Sequence, residues 1–160
     1  MLSITTDYVK STGNPEPYLR QISEAGFTHV HWCHQWCTDF LYSTHEISHI
    51  KKSLAEYSLQ LLDLHASQGS EKVWNSSLEH ERLAGVELVK NRIDMASRLG
   101  SDVIVMHTVE YSDALKRSLD ELELFAKKRD VRIALENIRS DDFSIIEKIF
   151  NDYDPDYITA

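Results

Sequence analysis

Five short β-forming runs alternate with longer stretches of helical period, and this alternation narrows the fold more than any other feature. The runs are Leu2–Tyr8, Thr28–His34, Gln60–Ala66, Asp102–Thr108 and Val131–Asn137. The segments between them carry helix punctuation. Pro15 and Pro17 open the first and Gly26 follows it, the usual placement of these residues at helix ends. Ser43 and Glu46 form a capping-box pattern, followed by Ile47, Ile50, Leu54 and Tyr57 at helical spacing. A helix over 78–99 carries Val86, Val89, Ile93 and Ala96 on one face and stops at Gly100. Another, over 112–128, carries Leu115, Leu119, Leu122 and Ala126. Asp141 is placed to cap a fifth. Five β-α units in series imply an α/β chain with a parallel sheet and crossover helices.

Two architectures satisfy that pattern, an open doubly wound sheet and a (β/α) barrel. The first strand is not followed by a G-x-G-x-x-G turn, and no Walker-type phosphate loop occurs, which disfavours an open nucleotide-binding sheet. Strand parity favours the barrel. Side chains alternate faces along a strand. One parity set is apolar: Leu2 and Ile4, Val30 and Trp32, Leu62 and Leu64, Ile104 and Met106, Ile133 and Leu135. The other holds Asp7, His31, Cys33, Leu61, Asp63, His65, Val103, Val105, His107, Arg132, Ala134 and Glu136. Under helices such a polar face would be costly. In a barrel it lines the lumen, and its C-terminal ends meet at the mouth where such folds place their chemistry.

His65, His107 and Glu136 end three successive strands on the lumen parity. Two imidazoles and a carboxylate are a common donor set for a catalytic divalent metal with open positions, so Mn, Zn, Co or Mg is the expected cofactor. Asp7, His31, His34 and Trp36 are candidates to line a substrate site, with the Trp36 ring as a wall for a sugar. Asp63 and Arg132 share the lumen set and are expected to compensate each other's charge. A compact zinc site from His31, Cys33, His34 and Cys37 is a weaker alternative, because the spacing is not that of paired zinc ligands. His45, His49 and His80 fall among polar helical residues and are read as surface groups.

Composition narrows the partners. With 17 Lys and Arg against 26 Asp and Glu, the 160-residue chain carries a net charge of −9. That disfavours a nucleic-acid surface, which needs a basic patch. Only Cys33 and Cys37 are present, too few for a disulfide scaffold. No basic stretch leads into an N-terminal apolar run, and no window approaches about 18 consecutive apolar residues. The expectation is a soluble cytoplasmic chain with no membrane contact.

Several of these stretches resemble one family. FTHVHWCHQW at Phe27–Trp36, LDLH at Leu62–His65, RLAGVELVKNRID at Arg82–Asp94, DVIVMH at Asp102–His107 and ALEN at Ala134–Asn137 look like the xylose isomerase-like TIM-barrel superfamily. That group holds sugar isomerases and epimerases, apurinic-site endonucleases and some dehydratases. The resemblance implies that Glu136 is the fifth-strand metal glutamate and the catalytic carboxylate. It implies that His65 and His107 match the third- and fourth-strand histidines that bind zinc in the endonuclease branch and line the substrate site in the epimerase branch. The family's sixth-, seventh- and eighth-strand ligands would lie beyond Ala160, since a sixth strand would only be starting at Asp156–Ala160.

The length agrees. An eight-unit barrel takes ~250 residues, about 31 per unit, so residues 1–160 form a single partial barrel domain with about five of eight units. The expected function is the N-terminal portion of a divalent-metal-dependent sugar (phosphate) isomerase or epimerase, inactive as an isolated chain, with a small carbohydrate as substrate. The alternatives are a zinc-dependent phosphodiesterase of the endonuclease branch and a non-catalytic fragment. Open barrel edges invite association, so a homo-oligomer covering them is a further expectation.

Overall fold

A computed structural model describes residues 1–7, 14–108, 110–137 and 143–160, with the side chain of Asn137 excepted. Among the described residues six strands and five helices alternate. They are β1 (Ser3–Thr5), α1 (Glu16–Glu24), β2 (His29–Trp32), α2 (Thr44–Glu56), β3 (Gln60–His65), α3 (Glu79–Leu99), β4 (Val103–Thr108), α4 (Asp113–Arg129), β5 (Arg132–Asn137), α5 (Ser144–Asp152) and β6 (Ile158–Thr159). All ladders are parallel, and the strands lie in chain order from β1 to β6. A doubly wound sheet reverses direction from a central strand; a barrel adds each strand beside the last. This is therefore the barrel topology, here as an open arc. The two-residue β6 pairs Ile158 with Ile133 and Thr159 with Ala134, so the sixth strand starts where the sequence places it.

The helix ends form for local reasons. Ser43 Oγ accepts from Glu46 N, and Glu46 returns a bond to Ser43 N, which satisfies two of the donors left over at the start of α2. Ser112 Oγ accepts from Leu115 N and caps α4. Gly100 ends α3 at φ 91°, a left-handed turn that a Cβ disfavours. The Asp141 cap lies outside the described residues, and α5 begins after Phe143.

One core lies between the sheet and the helices. Val30, Trp32, Leu64, Ile104, Met106, Ile133 and Leu135 are buried there against Leu19, Ile47, Val89, Ile93, Leu115, Leu119 and Ile149. The lumen neighbours Val103, Val105, His107 and Ala134 are only partly covered. Parity fails at two places. In β1 the apolar set thins at the start: Leu2 is exposed and Ile4 only half-buried. In β3 the expected roles of Leu61 and Leu62 are exchanged. Val30 pairs with Leu61 and His31 with Asp63, leaving Leu62 as an extra residue. Leu61 is buried in the core, while Leu62 is 37% exposed. A one-residue irregularity of this kind reverses which face the following side chains occupy. It is why Leu61 and Leu64, three apart, both enter the core.

Segment 66–78, between β3 and α3, lies directly on α3. Val73 N donates to Glu81 O at 3.2 Å. A Cβ on Gly85 would stand 2.1 Å from the backbone nitrogen of Trp74, so only glycine admits this approach. Gly85→Ala is expected to destabilise the fold by about 2 kcal/mol, an overpacking cost against backbone that cannot retreat. Urea midpoints of the two proteins check this.

Candidate metal and substrate site

The C-terminal ends of β3, β4 and β5 bring His65, His107 and Glu136 together. In β4 and β5, His107 and Glu136 are direct ladder partners. His65 pairs one position pair lower, with Val105, yet its ring reaches the same point. His65 Nε2 lies 3.0 Å from His107 Nε2, and His107 Nε2 lies 3.1 Å from Glu136 Oε2. Ligand atoms of the three residues fall within 4.8 Å of one another, the one such group of His, Cys, Asp or Glu among the described residues.

The proton count fits a cation. His65 Nδ1 donates to Ala66 O at 2.9 Å, which fixes the tautomer and leaves a lone pair on Nε2. One proton on His107 Nε2 then serves both His65 Nε2 and Glu136 Oε2. Three electron pairs thus converge on a place that a single proton fills. Two ligands each about 2.0–2.1 Å from a tetrahedral ion stand about 3.4 Å apart, so the nitrogens need only a small adjustment to hold one. The backbone bond to His65 Nδ1 is also the usual second partner of a metal-binding histidine.

The site is walled by the segment after β2. The Trp36 ring lies 4.5 Å from the His65 ring and 5.7 Å from the His107 ring, centroid to centroid. Its Nε1 donates to Asp7 Oδ1 at 3.0 Å. His31 meets His65 edge-on at 6.0 Å, and its Nδ1 is paired with Asp63 Oδ1. Thr6, fully buried, accepts from Cys33 N and His34 N through Oγ1 and so fixes where β2 ends.

Six of the seven sequence-nominated residues therefore meet: Glu136, His65, His107, Trp36, Asp7 and His31. His34 is placed elsewhere. It is buried, its Nδ1 lies 2.9 Å from the Tyr42 hydroxyl, and its ring packs edge-on to Trp32 at 6.0 Å. It borders a separate cavity of about 350 Å³ beside Phe40, Tyr42 and His49. The Asp63–Arg132 compensation does not form. Asp63 takes His31, its register partner, while Arg132 sits at the start of β5 and pairs with Asp102 at 2.8 Å. The four residues of the alternative zinc site are divided between the lumen, the core and the surface: Cys33 is buried and Cys37 exposed. His45, His49 and His80 are exposed, as read.

Sequence reasoning missed Arg92, Ser67 and Gln35, which build the loop that carries Trp36. The one available signal was a charged residue at 92 beside Val89, Ile93 and Ala96 on the apolar stripe of α3.

The family model described as xylose isomerase-like TIM barrel matches residues 19–153. The chain belongs to that family. A curated relative, the uncharacterised protein y4fM of Sinorhizobium fredii (strain NBRC 101917 / NGR234), is 28% identical over 175 residues, covering 88% of this chain and 56% of its own. Among solved structures, a D-tagatose 3-epimerase-like protein superposes with a TM-score of 0.76 at 19% identity, over 98% of this chain and 62% of its own. The 3-keto-D-glucoside 4-epimerase of E. coli gives 0.71 at 18%, over 98% and 65%. A xylose isomerase-like TIM barrel protein from Mycobacterium smegmatis, in complex with magnesium, gives 0.71 at 15%, over 99% and 62%. The chain thus spans less than two thirds of each relative's length. At these identities the structures share the fold. Among the described residues no helix is long and apolar enough to cross a membrane.

Two histidines of the rim titrate in opposite directions. Burial, with repulsion from His107 and His31 behind it, pushes His65 down to about 4. Burial works to lower His31 too, but its bonds to Asp63 and Cys33 outweigh that and raise it to about 10. Unfolded, both titrate near 6.5. The unfolded chain binds the extra proton at position 65 between pH 4 and 6.5, so stability falls as pH drops through that window. The folded chain holds the extra proton at position 31 between pH 6.5 and 10, so stability falls as pH rises through that one. Urea midpoints at pH 5, 6.5 and 9 are expected to peak in the middle. His65→Gln flattens the acid limb, and Asp63→Asn flattens the alkaline one.

Proposed function

We propose that this chain carries the divalent-metal and substrate site of a sugar isomerase or epimerase. The observation that supports it best is the convergence of His65 Nε2, His107 Nε2 and Glu136 Oε2 at one rim, beneath an indole. These three residues would hold the ion, and the two imidazoles favour Zn or Co over Mg. A bound divalent ion supplies Lewis-acid polarisation of a carbonyl and a neighbouring hydroxyl. The sugar epimerases among the structural relatives support a carbohydrate as the molecule that brings those oxygens.

The chain's own side chains divide the remaining work. Trp36 offers an apolar ring face for the C–H face of a sugar. Asp7, already engaged by Trp36 Nε1, and the His31–Asp63 pair supply polar groups for hydroxyls. Glu136, more than half exposed to the lumen at 58%, is the carboxylate able to take a proton from the carbon beside a carbonyl. His65, held neutral by burial, stays an electron-pair donor at neutral pH.

A second reading has one observation in its favour: two imidazoles on one carboxylate also suit a zinc cluster of a phosphodiester hydrolase. The charge of −9 works against a DNA substrate.

Titration with Zn²⁺, Mn²⁺, Co²⁺ and Mg²⁺, followed by calorimetry and metal analysis, tests the site. One ion per chain is expected, weakened at least tenfold by His65→Ala and by Glu136→Gln. Two or three zincs would favour the hydrolase. Absence of binding by all four ions would sink both readings. For the reaction, ketoses incubated in D₂O with the full-length protein are expected to gain deuterium beside the carbonyl, and Glu136→Gln to lower that exchange at least a hundredfold, within the usual range for a positioned acid–base group of about 10²–10⁴.

A further inference from the structure

Arg92 is the least expected side chain in the core. It is 1% exposed, and among the described residues no carboxylate pairs with it. Burial lowers its guanidinium to about 10, so the fold spends a charge where a methionine would pack. Its contacts show what the charge holds. Arg92 Nε donates to Ser67 Oγ at 3.0 Å and Nη2 to Phe40 O at 2.8 Å. Nη1 donates to Asn91 Oδ1 at 2.6 Å, the same oxygen that accepts from Tyr42 N. The guanidinium also lies over the Tyr42 ring at 4.5 Å.

These bonds fasten both sides of one loop. Ser67 Oγ, held by Arg92, donates onward to Gln35 O at 3.2 Å. Gln68 N donates to Trp36 O at 3.1 Å. Gln35 itself sits at φ 61°, a left-handed conformation that a residue with a Cβ adopts only when its surroundings impose it. That residue immediately precedes Trp36. The backbone turn that aims the indole at His65 and His107 is thus an unfavourable one, and its carbonyl is fixed by a two-bond relay from α3.

We propose that Arg92, acting through Ser67 on the strained Gln35 carbonyl, is a positioning residue that holds the Trp36 ring over the His65–His107–Glu136 cluster. The proposal rests on reading that cluster as the functional site, but its geometry is testable without any ion. The rival is that Arg92 merely stabilises the core. Arg82 provides the comparison: it is also buried in the same helix, at 3% exposed, but is paired with Glu79 and Glu121, and among the described residues it makes no bond to the Trp36 loop.

The indole lies 4.5 Å from the His65 ring, centroid to centroid, at a tilt of 37°; at that distance its ring current displaces the His65 ring-proton signals, and a proton–carbon NMR spectrum of the metal-free chain reads this directly. Trp36→Leu sets the value without the indole. Arg92→Met and Ser67→Ala are each expected to move the His65 signals at least halfway toward that value. Ser67→Ala leaves the guanidinium in place, and so keeps the test informative if Arg92→Met does not fold. Arg82→Met is expected to lower the melting temperature and leave the His65 signals where they are. Folded Arg92→Met or Ser67→Ala protein with unshifted His65 signals overturns the proposal, as does an equal shift in Arg82→Met. A parallel Co²⁺ titration separates the two readings. Quenching of Trp36 fluorescence in the wild type, weakened in Ser67→Ala, supports both. No Co²⁺ uptake by the wild type counts against the metal site alone, while the NMR outcome still decides the role of Arg92.

Discussion

The chemistry at the rim depends on which face of a parallel strand each side chain takes. Side chains alternate with period two, so a single extra residue upstream sends all later ones to the other face. In β3 that extra residue is Leu62, set between the pairs Val30–Leu61 and His31–Asp63. Leu61 already points into the helix-covered core. Without the irregularity Asp63 and His65 would follow it there, a charge and an imidazole under apolar helices. With it, Asp63 faces His31 and His65 faces His107.

From that placement the rest of the site follows by contact. His65 is buried enough to stay neutral, and its bond to Ala66 O turns the free nitrogen toward the lumen. His107 and Glu136, ladder partners on β4 and β5, bring their side chains to the same point. Trp36 closes the side nearest β1 and β2. The loop bearing it is bonded from behind by α3, through Arg92 and Ser67. Rigid elements holding a site through a supporting layer is a general requirement of precise chemistry.

The helix layer also carries the stability. The core between sheet and helices is apolar apart from a few side chains such as Arg92 and Arg82, whereas the lumen face is only half covered. A site on the half-covered face keeps its polar groups near water. That exposure is compatible with the charge on Glu136 and with the His31–Asp63 pair, neither of which the apolar side would tolerate.

The sequence by itself determined the succession of β-α units, the helix ends at Ser43 and Gly100, and the placing of His65, His107 and Glu136 at the ends of three successive strands. All of these are local or periodic signals: turn chemistry, capping geometry and alternation along one strand. Tertiary structure alone decided that Leu61 and Leu62 exchange places, that Asp63 takes His31 in place of Arg132, and that His34 leaves the site for Tyr42. It also decided that a buried arginine bonds, through Ser67, to the carbonyl of Gln35, far away in the chain. Each of those depends on inter-strand register or on a contact between residues far apart in the chain, which no single segment encodes.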